Sequence, residues 1–182
     1  MAPLTRTAGV AVAAALAAGC GGGDKVSSAP PAAPSRLSLS SPAFGAGATI
    51  PTRFTCAGAG ERPALRFSGV PAQARELALL VVDPDAGGFV HWTVYGMAPS
   101  VRALGARGLP AGAREGKSSN GDSGWTPPCP PPGSGTHRYQ FDLYWLRERS
   151  GLDAGADPQD VVDAIRAGAG GRGELIGRFG RE

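Results

Sequence analysis

Five polar side chains that could bind a ligand or move a proton interrupt apolar runs in the middle of this sequence. Asp83 and Asp85 end one run, and His91 stands just inside the next. His137 and Tyr139 open a third run. A carboxylate or an imidazole costs free energy to bury unless it is paired or serves a ligand. These are the only two histidines of the chain, and we expect them to meet in one site.

The runs around these residues have the composition of buried strands. Residues 75–82 and 90–97 are rich in Val and Leu and flank a short turn-forming segment, which is typical of two strands and their connection. In the run 137–146, side chains should alternate between the two faces of a strand. That period predicts one face with His137, Tyr139, Phe141, Leu143 and Trp145, and another with Arg138, Gln140, Asp142 and Tyr144.

The composition indicates one domain in which β structure prevails. The chain has 182 residues, and without about forty N-terminal residues the remainder suits a single core. Its 29 glycines and 17 prolines favour a loop-rich body over a helical bundle. The net charge of +3 comes from scattered arginines without a basic block, so nucleic-acid binding is not expected. The three cysteines show no CxxC spacing and no nearby histidine cluster, so the sequence does not predict a zinc site.

The first 20 residues have the order of a secretory signal, with a charged start, an apolar stretch over 8–18 and small residues before Cys20. The run Leu16-Ala17-Ala18-Gly19-Cys20 resembles a bacterial lipoprotein signal, in which the cysteine is lipidated and begins the mature chain. An ordinary signal peptide with an incidental cysteine is the alternative.

The remaining chain divides into a linker and a domain. Residues 21–36 are mostly Gly, Ser, Ala and Pro and predict a disordered linker. Residues 37–182 are predicted to form the folded domain. This layout predicts an extracytoplasmic, membrane-anchored lipoprotein, in the periplasm or at the cell surface.

Shorter patterns complete the domain. Residues 50–55 and 64–67 look like strands, the first with a proline near its start. Residues 102–132 are dominated by Gly, Ser, Asn and Pro and predict a long irregular loop, a kind of segment that is often functional.

A helix is predicted near the C-terminus. Asp157 can cap it and Pro158 can begin it, because proline suits the first helical position. The apolar residues at helical spacing are Val161, Val162 and Ile165. The glycine-rich run 168–173 is expected to break this helix, and residues 174–179 are expected to form a last short turn.

Two segments resemble the signature segments of the phosphatidylethanolamine-binding protein family. They are Asp83-Pro84-Asp85-Ala86 followed by His91-Trp92, and Gly135-Thr136-His137-Arg138-Tyr139. Flanking segments similar to its bacterial, Raf-kinase-inhibitor-like branch are Ile50 to Cys56, Asn120-Gly121 through Gly124, and Pro128 to Pro131. The resemblance covers about residues 37–181. It implies a mainly β fold, with a large antiparallel sheet packed with a smaller sheet, short C-terminal helices and a small pocket at one end of the large sheet.

The resemblance also implies which residues form that pocket. They are Asp83 with Asp85 beside it, His91, His137 and Tyr139, with the rim formed by residues 129–131, including Pro131. Imidazole N–H and phenol O–H groups donate hydrogen bonds, and a carboxylate behind a histidine fixes its tautomer. This set predicts a site for a phosphate ester or another small anion, such as a phospholipid head group. No Arg or Lys is required in the pocket, which predicts modest affinity because charge-assisted bidentate contacts are the strong ones.

In the implied fold, both Cys56 and Cys129 could lie near the pocket rim. An exported protein resides where disulfides persist, and a bridge here would close a long loop and stabilise the domain by about 3–4 kcal/mol in the chain-entropy model. We expect the disulfide. Two free thiols are the alternative, because the resemblance does not itself decide their pairing.

Three functions follow from these expectations. The first is an exported, lipid-anchored binding module for a small anionic or phosphate-bearing ligand, with no cofactor and no nucleic-acid partner. The second is a protein-interaction or inhibitor module acting on a kinase or protease, for which the sequence selects no target. The third is a metal-dependent hydrolase using the acids and histidines. The sequence contains no Gly-x-Ser-x-Gly or HExxH motif, so the enzyme is the weakest hypothesis.

Overall fold

The computed structural model describes Met1, residues 30–34 and residues 37–182. The predicted signal, Cys20 and most of the predicted linker lie outside the described residues. The strands are β1 (Ser38–Ser40), β2 (Leu65–Ser68), β3 (Glu76–Asp83), β4 (Phe89–Met97), β5 (Ala103–Leu104), β6 (Arg114–Glu115), β7 (Thr136–Leu146) and β8 (Ala169–Gly180). Helix α1 (Pro158–Gly168) lies between β7 and β8. No helix in the described part of the chain is both long and apolar enough to cross a membrane.

The strands form two antiparallel sheets, which confirms the predicted fold class. The large sheet has five strands in the order β6-β4-β3-β7-β8, and the small sheet has three in the order β1-β2-β5. Strand β3 lies in the middle of the large sheet, and all eight of its residues are buried. A strand that is covered on both faces needs a continuous apolar run, which explains the near-unbroken Leu and Val of this segment.

The strand register assembles the polar residues at one end of the large sheet. Val82 of β3 pairs with Gln140 of β7, and Asp83 pairs with Phe89 of β4. The end of β3, the start of β4 and the start of β7 therefore lie side by side. These are the three points at which the sequence places its acids and histidines.

The alternation predicted for β7 is confirmed by two separate cores. Tyr139, Phe141, Leu143 and Trp145 belong to the core shared by the two sheets. Tyr144 points to the opposite face, where it joins a second core that α1 covers. The three apolar residues predicted for the helix are buried in this second core. Asp157 precedes the helix, but its carboxylate binds Lys117 at 2.8 Å instead of a backbone N–H of the first turn.

The C-terminal prediction is wrong in one respect: residues 169–180 form a long strand instead of a glycine break and a short turn. The glycines are required by close packing. A Cβ on Gly173 would lie 2.7 Å from the carbonyl oxygen of Leu37, and a Cβ on Gly177 would lie 2.5 Å from Cγ1 of Ile50. Glycine lets the N-terminal segment cross this strand closely. Because residues 169–180 form a strand, the described residues contain one C-terminal helix, α1, and not the several that the resemblance implied.

Two smaller corrections concern the connecting segments. Residues 50–55 do not form a strand, because the chain makes a 3-10 turn at Thr52–Phe54 that directs Phe54 into the core. The loop 102–132 contains the short strands β5 and β6, and each of them extends one sheet. The strand predicted at 64–67 is confirmed as β2.

The end of the predicted linker is bonded to the domain. Tyr144 donates its hydroxyl proton to the carbonyl oxygen of Pro31 at 3.0 Å. The backbone N–H of Arg172 donates to Pro34 at 2.9 Å, and the N–H of Leu37 donates back to Arg172 at 3.1 Å. The chain therefore reaches the domain at the end of β7 that lies farthest from His137.

Candidate functional site

A cavity of about 130 Å³ lies at the end of the large sheet where the polar residues meet. Its lining comprises Asp83, Ala86, Phe89, His91, Thr126, Pro127, Cys129, Pro130, Pro131, His137 and Tyr139. Five of the six residues predicted for the ligand site are among them, and the sixth, Asp85, is not. The two histidines meet here although they come from different strands.

Asp83 is held rigidly at the base of the cavity. Pro84 begins a 3-10 turn, Pro84–Ala86, and the N–H groups of Asp85 and Ala86 donate to Oδ1 of Asp83 at 2.9 and 3.0 Å. An aspartate that accepts from its own following backbone is the usual start of such a turn. The second carboxylate oxygen, Oδ2, accepts from Nδ1 of His137 at 2.7 Å.

His137 is held between Asp83 and Ser134. Its Nδ1 lies 2.7 Å from Oδ2 of Asp83, and its Nε2 lies 3.1 Å from the hydroxyl oxygen of Ser134. The same hydroxyl lies 2.8 Å from the carbonyl oxygen of Pro131. The contact between His137 and Asp83 is almost fully buried, so it fixes the ring at one wall of the cavity.

His91 is fixed by the loop that faces it. Its Nδ1 donates to the carbonyl oxygen of Thr126 at 2.8 Å, and the N–H of Thr126 donates to the carbonyl oxygen of His91 at 2.9 Å. Burial lowers the pKa of His91, against the opposing effects of the Thr126 bond and the charge of Asp83. The imidazole is therefore neutral near pH 7, and its Nε2 carries a lone pair.

Tyr139 supplies a donor that the fold does not use. The residue is fully buried, and its hydroxyl has no hydrogen-bond partner among the described residues. Its ring lies edge-on to His91, with centroids 5.1 Å apart. Burial raises the pKa of Tyr139, so the phenol keeps its proton. A buried polar group without a partner is uncommon and asks for an explanation.

Asp85 lies outside the cavity, in contrast to the prediction. Its carboxylate accepts from Nε and Nη2 of Arg138 at 3.0 and 2.6 Å, and from the backbone N–H of Arg138 at 2.8 Å. This bidentate contact lowers the pKa of Asp85 to about 2. Asp85 thus links the turn after β3 to β7. The guanidinium of Arg138 lies outside the cavity, which agrees with its predicted position on the strand face opposite His137 and Tyr139.

Cys56 and Cys129 are joined by a disulfide, with their Cα atoms 5.3 Å apart and a sequence separation of 73. Next to it, the N–H of Cys56 donates to the carbonyl oxygen of Pro128 at 3.0 Å. Arg181 donates to the Cys129 sulfur at 3.4 Å on the outer side. The covalent link holds the proline-rich rim over the cavity.

The loop behind His91 contains residues that the sequence reasoning missed. Trp125, next to Thr126, stacks on Phe141 and lies edge-on to Trp92. Glu115 accepts from the indole N–H of Trp92 at 2.7 Å and from Arg62 at 3.0 Å. Thr126 and Glu115 belong to the irregular loop, where neither periodicity nor a motif distinguishes them.

The hydrolase alternative requires the acids and histidines to act as metal ligands. Within the described ranges, no three His, Cys, Asp or Glu side chains are grouped closely enough to hold a metal ion. In the cavity, His137 and Asp83 bind one another through Nδ1 and Oδ2, and Nδ1 of His91 binds a backbone carbonyl.

Comparisons with known proteins agree with this architecture. A Mycobacterium tuberculosis protein named "Putative lipoprotein LppC" is 42% identical over 192 aligned residues, which cover 95% of this chain and 94% of that protein. The solved structure of CT736 from Chlamydia trachomatis, a phosphatidylethanolamine-binding protein homologue, has 33% identity and a TM-score of 0.73, and covers 80% of this chain and 98% of that one. The solved structure of Escherichia coli YbcL has 26% identity and a TM-score of 0.76, and the aligned part covers 81% of this chain and 100% of that one.

A family model extends this similarity over nearly the whole domain. The model described as phosphatidylethanolamine-binding protein matches residues 40–180, which include the whole large sheet, the helix and every residue that lines the cavity. The predicted family and the observed fold agree with this match. The chain belongs to the phosphatidylethanolamine-binding protein family.

Proposed function

We propose that this protein is an exported, lipid-anchored binding module whose cavity holds a phosphate ester or a similar small anion. The observation that carries the proposal is the buried hydroxyl of Tyr139, a residue of the cavity lining, which has no partner within the described part of the chain. An unmade hydrogen bond of this kind costs about 1–3 kcal/mol, which a ligand acceptor would recover.

The size of the cavity limits the ligand. A volume of about 130 Å³ corresponds to only a few water molecules at roughly 30 Å³ each. A phosphate group with a short substituent fits, whereas the acyl chains of a phospholipid would have to remain outside. The family takes its name from phosphatidylethanolamine, and the head group of that lipid is a phosphate ester of this size.

His91 makes the binding depend on pH. Because its Nδ1 already donates to Thr126, the neutral ring offers only an acceptor to a ligand at Nε2. A bound anion favours the protonated ring, in which Nε2 becomes a donor. Since burial lowers the pKa of His91, that proton must be taken up on binding near pH 7. Affinity is therefore expected to rise as the pH falls toward the pKa of the free imidazole.

The lining also sets the strength of binding. Neither Arg nor Lys lines the cavity, and Asp83, the only acid of the lining, is bonded to His137. Bidentate guanidinium contacts, which give the tightest anion sites, are missing from this lining. We expect an affinity that is modest and that increases when His91 becomes charged.

The experiment is calorimetric titration with glycerophosphoethanolamine, a phosphodiester whose charge is constant between pH 5.5 and 8, and with inorganic phosphate. Tyr139→Phe removes only the hydroxyl that has no partner, so the free energy of unfolding should not fall. Losing its bond to a charged ligand should weaken binding about 10- to 100-fold, since such bonds contribute ~1.5–3 kcal/mol.

Tyr144→Phe is the matched control, because that hydroxyl binds the carbonyl of Pro31 and lies outside the cavity. It should lower stability and leave ligand affinity unchanged. Equal affinities for the wild type and Tyr139→Phe, or an affinity that does not change between pH 5.5 and 8, would refute the anion site.

The anchor has separate support. The apolar leader ends in Gly19-Cys20 and is followed by a polar linker, and the 42% identical relative is named as a lipoprotein. Lipidation of Cys20 would place the domain outside the cytoplasm at a membrane surface. Cell fractionation with a high-salt wash, which releases protein held by charge alone, tests this proposal: Cys20→Ser should move the protein from the membrane fraction to the soluble fraction, and unchanged membrane association would exclude the lipid anchor.

A further inference from the structure

A second, larger cleft lies at the opposite end of the large sheet. It has a volume of about 450 Å³ and is lined by Pro34, Gln73, Arg75, Trp145, Arg147, Glu148 and Gly170. Arg75 precedes β3, and Trp145 and Arg147 lie at the end of β7. The cleft is therefore at the ends of these strands that lie farthest from His137. From His137 to Tyr144, seven strand residues at ~3.3 Å each give a separation of roughly 23 Å between the cavity and this cleft.

The backbone that carries the cleft arginines is fixed. The N–H of Arg75 donates to Leu146, and the N–H of Arg147 donates to Gly168, both at 2.9 Å. The loop after Arg147 is held by the buried carboxylate of Glu76, which accepts from the N–H of Ser150 at 3.0 Å and from its hydroxyl at 2.7 Å. The arginines are therefore presented from a rigid base.

The cleft carries an excess of positive charge. Among the described residues, Arg75, Arg147 and the neighbouring Arg149 form no salt bridge with an acid, and Glu148 is the only acid in the lining. The guanidinium of Arg147 lies 5.6 Å from the ring centroid of Trp145 and donates to the carbonyl oxygen of Ala169. Its charge is thus available to a partner outside the protein.

The N-terminal segment reaches the domain at this cleft. Pro34 is part of the lining, and the bonds at Pro31 and Pro34 hold the segment against β7 and β8. The chain from Cys20 to Pro30 comprises about ten residues, which span at most ~35 Å when extended. If Cys20 carries a lipid, the tether joins the domain at this cleft and keeps the cleft within that distance of the bilayer.

We propose that this arginine cleft docks on the surface of an anionic bilayer and thereby turns the Asp83–His137 cavity away from the membrane. The orientation rests on the lipid anchor proposed above, whereas the docking itself does not. Arginine near a bilayer surface attracts anionic head groups and is screened by salt. The consequence is that the cavity would sample ligands in the surrounding compartment instead of head groups of the membrane that holds the protein.

Docking is tested on the chain that begins at residue 20 with Cys20→Ser, so that no lipid contributes. Both hydrophobic cores lie within residues 33–182, and this chain retains the whole fold. We expect it to sediment with vesicles of phosphatidylcholine and phosphatidylglycerol at low salt, but not with phosphatidylcholine alone. Arg75→Glu/Arg147→Glu should reduce the binding about tenfold or more.

Arg107→Glu/Arg178→Glu is the matched control, because it changes the net charge equally at exposed positions outside the cleft. Binding that persists in this variant and is lost in the cleft variant supports the proposal. Equal loss in both variants would reduce the effect to net charge and overturn the docking site. Equal sedimentation with the two kinds of vesicle would overturn it as well.

The orientation requires a separate measurement on the lipidated protein in anionic vesicles. Hydrogen exchange should slow around residues 147–150 on reconstitution and remain unchanged around the cavity loop 126–134. Protection at the cavity loop instead would overturn the orientation. None of these outcomes depends on binding of a ligand by Tyr139, so failure of the docking proposal is distinguishable from failure of the anion site.

Discussion

Replacing Asp142 by Asn should change how the stability of the domain depends on pH. Asp142 is fully buried on β7, and neither carboxylate oxygen has a hydrogen-bond partner in the part of the chain that the structure describes. Burial raises the pKa of Asp142 from 3.8 to about 7, although Arg172, 3.4 Å away, lowers it and Glu174 raises it again. Tyr144 and Gln140 are its remaining polar neighbours on this face.

The direction in which the free energy of unfolding changes with pH is set by how many protons the folded and unfolded chains bind. Between pH 4 and pH 7 the folded protein keeps a proton on Asp142 that the unfolded chain releases, so the free energy of unfolding falls as the pH rises. The rise of the Asp142 pKa from 3.8 to about 7 corresponds to ~4 kcal/mol of stability that is lost as the pH rises. About 2–3 kcal/mol of this loss occurs between pH 5 and pH 8. Asn cannot ionise, so Asp142→Asn removes this dependence.

Urea unfolding of the wild type and Asp142→Asn at pH 5 and pH 8 measures the effect. The variant's stability relative to the wild type should be about 2–3 kcal/mol higher at pH 8 than at pH 5. Asp163→Asn is a suitable control, because Asp163 is exposed and pairs with Arg166 in the next helical turn. Parallel pH curves for the wild type and Asp142→Asn would mean that the buried carboxylate is not protonated in the folded protein.

Three further outcomes are expected. Gly177→Ala should lower the free energy of unfolding by about 1–3 kcal/mol through overpacking, while Gly45→Ala, with open space around it, should not. Thiol titration of the denatured, unreduced protein should find Cys56 and Cys129 unreactive, and reduction should release both thiols. Asp85→Asn should cost about 1 kcal/mol or less, because its ion pair is partly exposed, and should leave anion affinity unchanged, since its side chain does not line the cavity.

The parts of the fold that the sequence predicts well are those in which burial imposes a period. Strand β7 alternates between two cores, and β3 is covered on both faces, so their side-chain patterns follow directly from their surroundings. The meeting of His91 and His137 is predictable because each of them interrupts such a strand at its end and belongs to one of the two motif segments.

The sequence predicts poorly where packing between distant segments decides the structure. Strand β8 contains glycines because Leu37 and Ile50 approach its backbone closely, whereas local reasoning treats a glycine run as a breaker. Asp85 was assigned to the pocket with Asp83, but Arg138 draws its carboxylate outward. Thr126 fixes His91 from an irregular loop, and nothing in its local sequence indicates that contact.

The pairing between the N-terminal segment and β8 has a consequence for the time at which the chain can fold. Backbone hydrogen bonds join Leu37, Gly47 and Ile50 to Arg172, Ile176 and Arg178, which are synthesised much later than their partners. Contacts between the two ends of a domain form slowly and only when both ends are present. A nascent chain therefore lacks one edge strand of the large sheet until β8 has been synthesised. For a protein whose leader we propose to direct export, this delay would keep the chain unfolded while its N-terminus is already engaged with the export machinery.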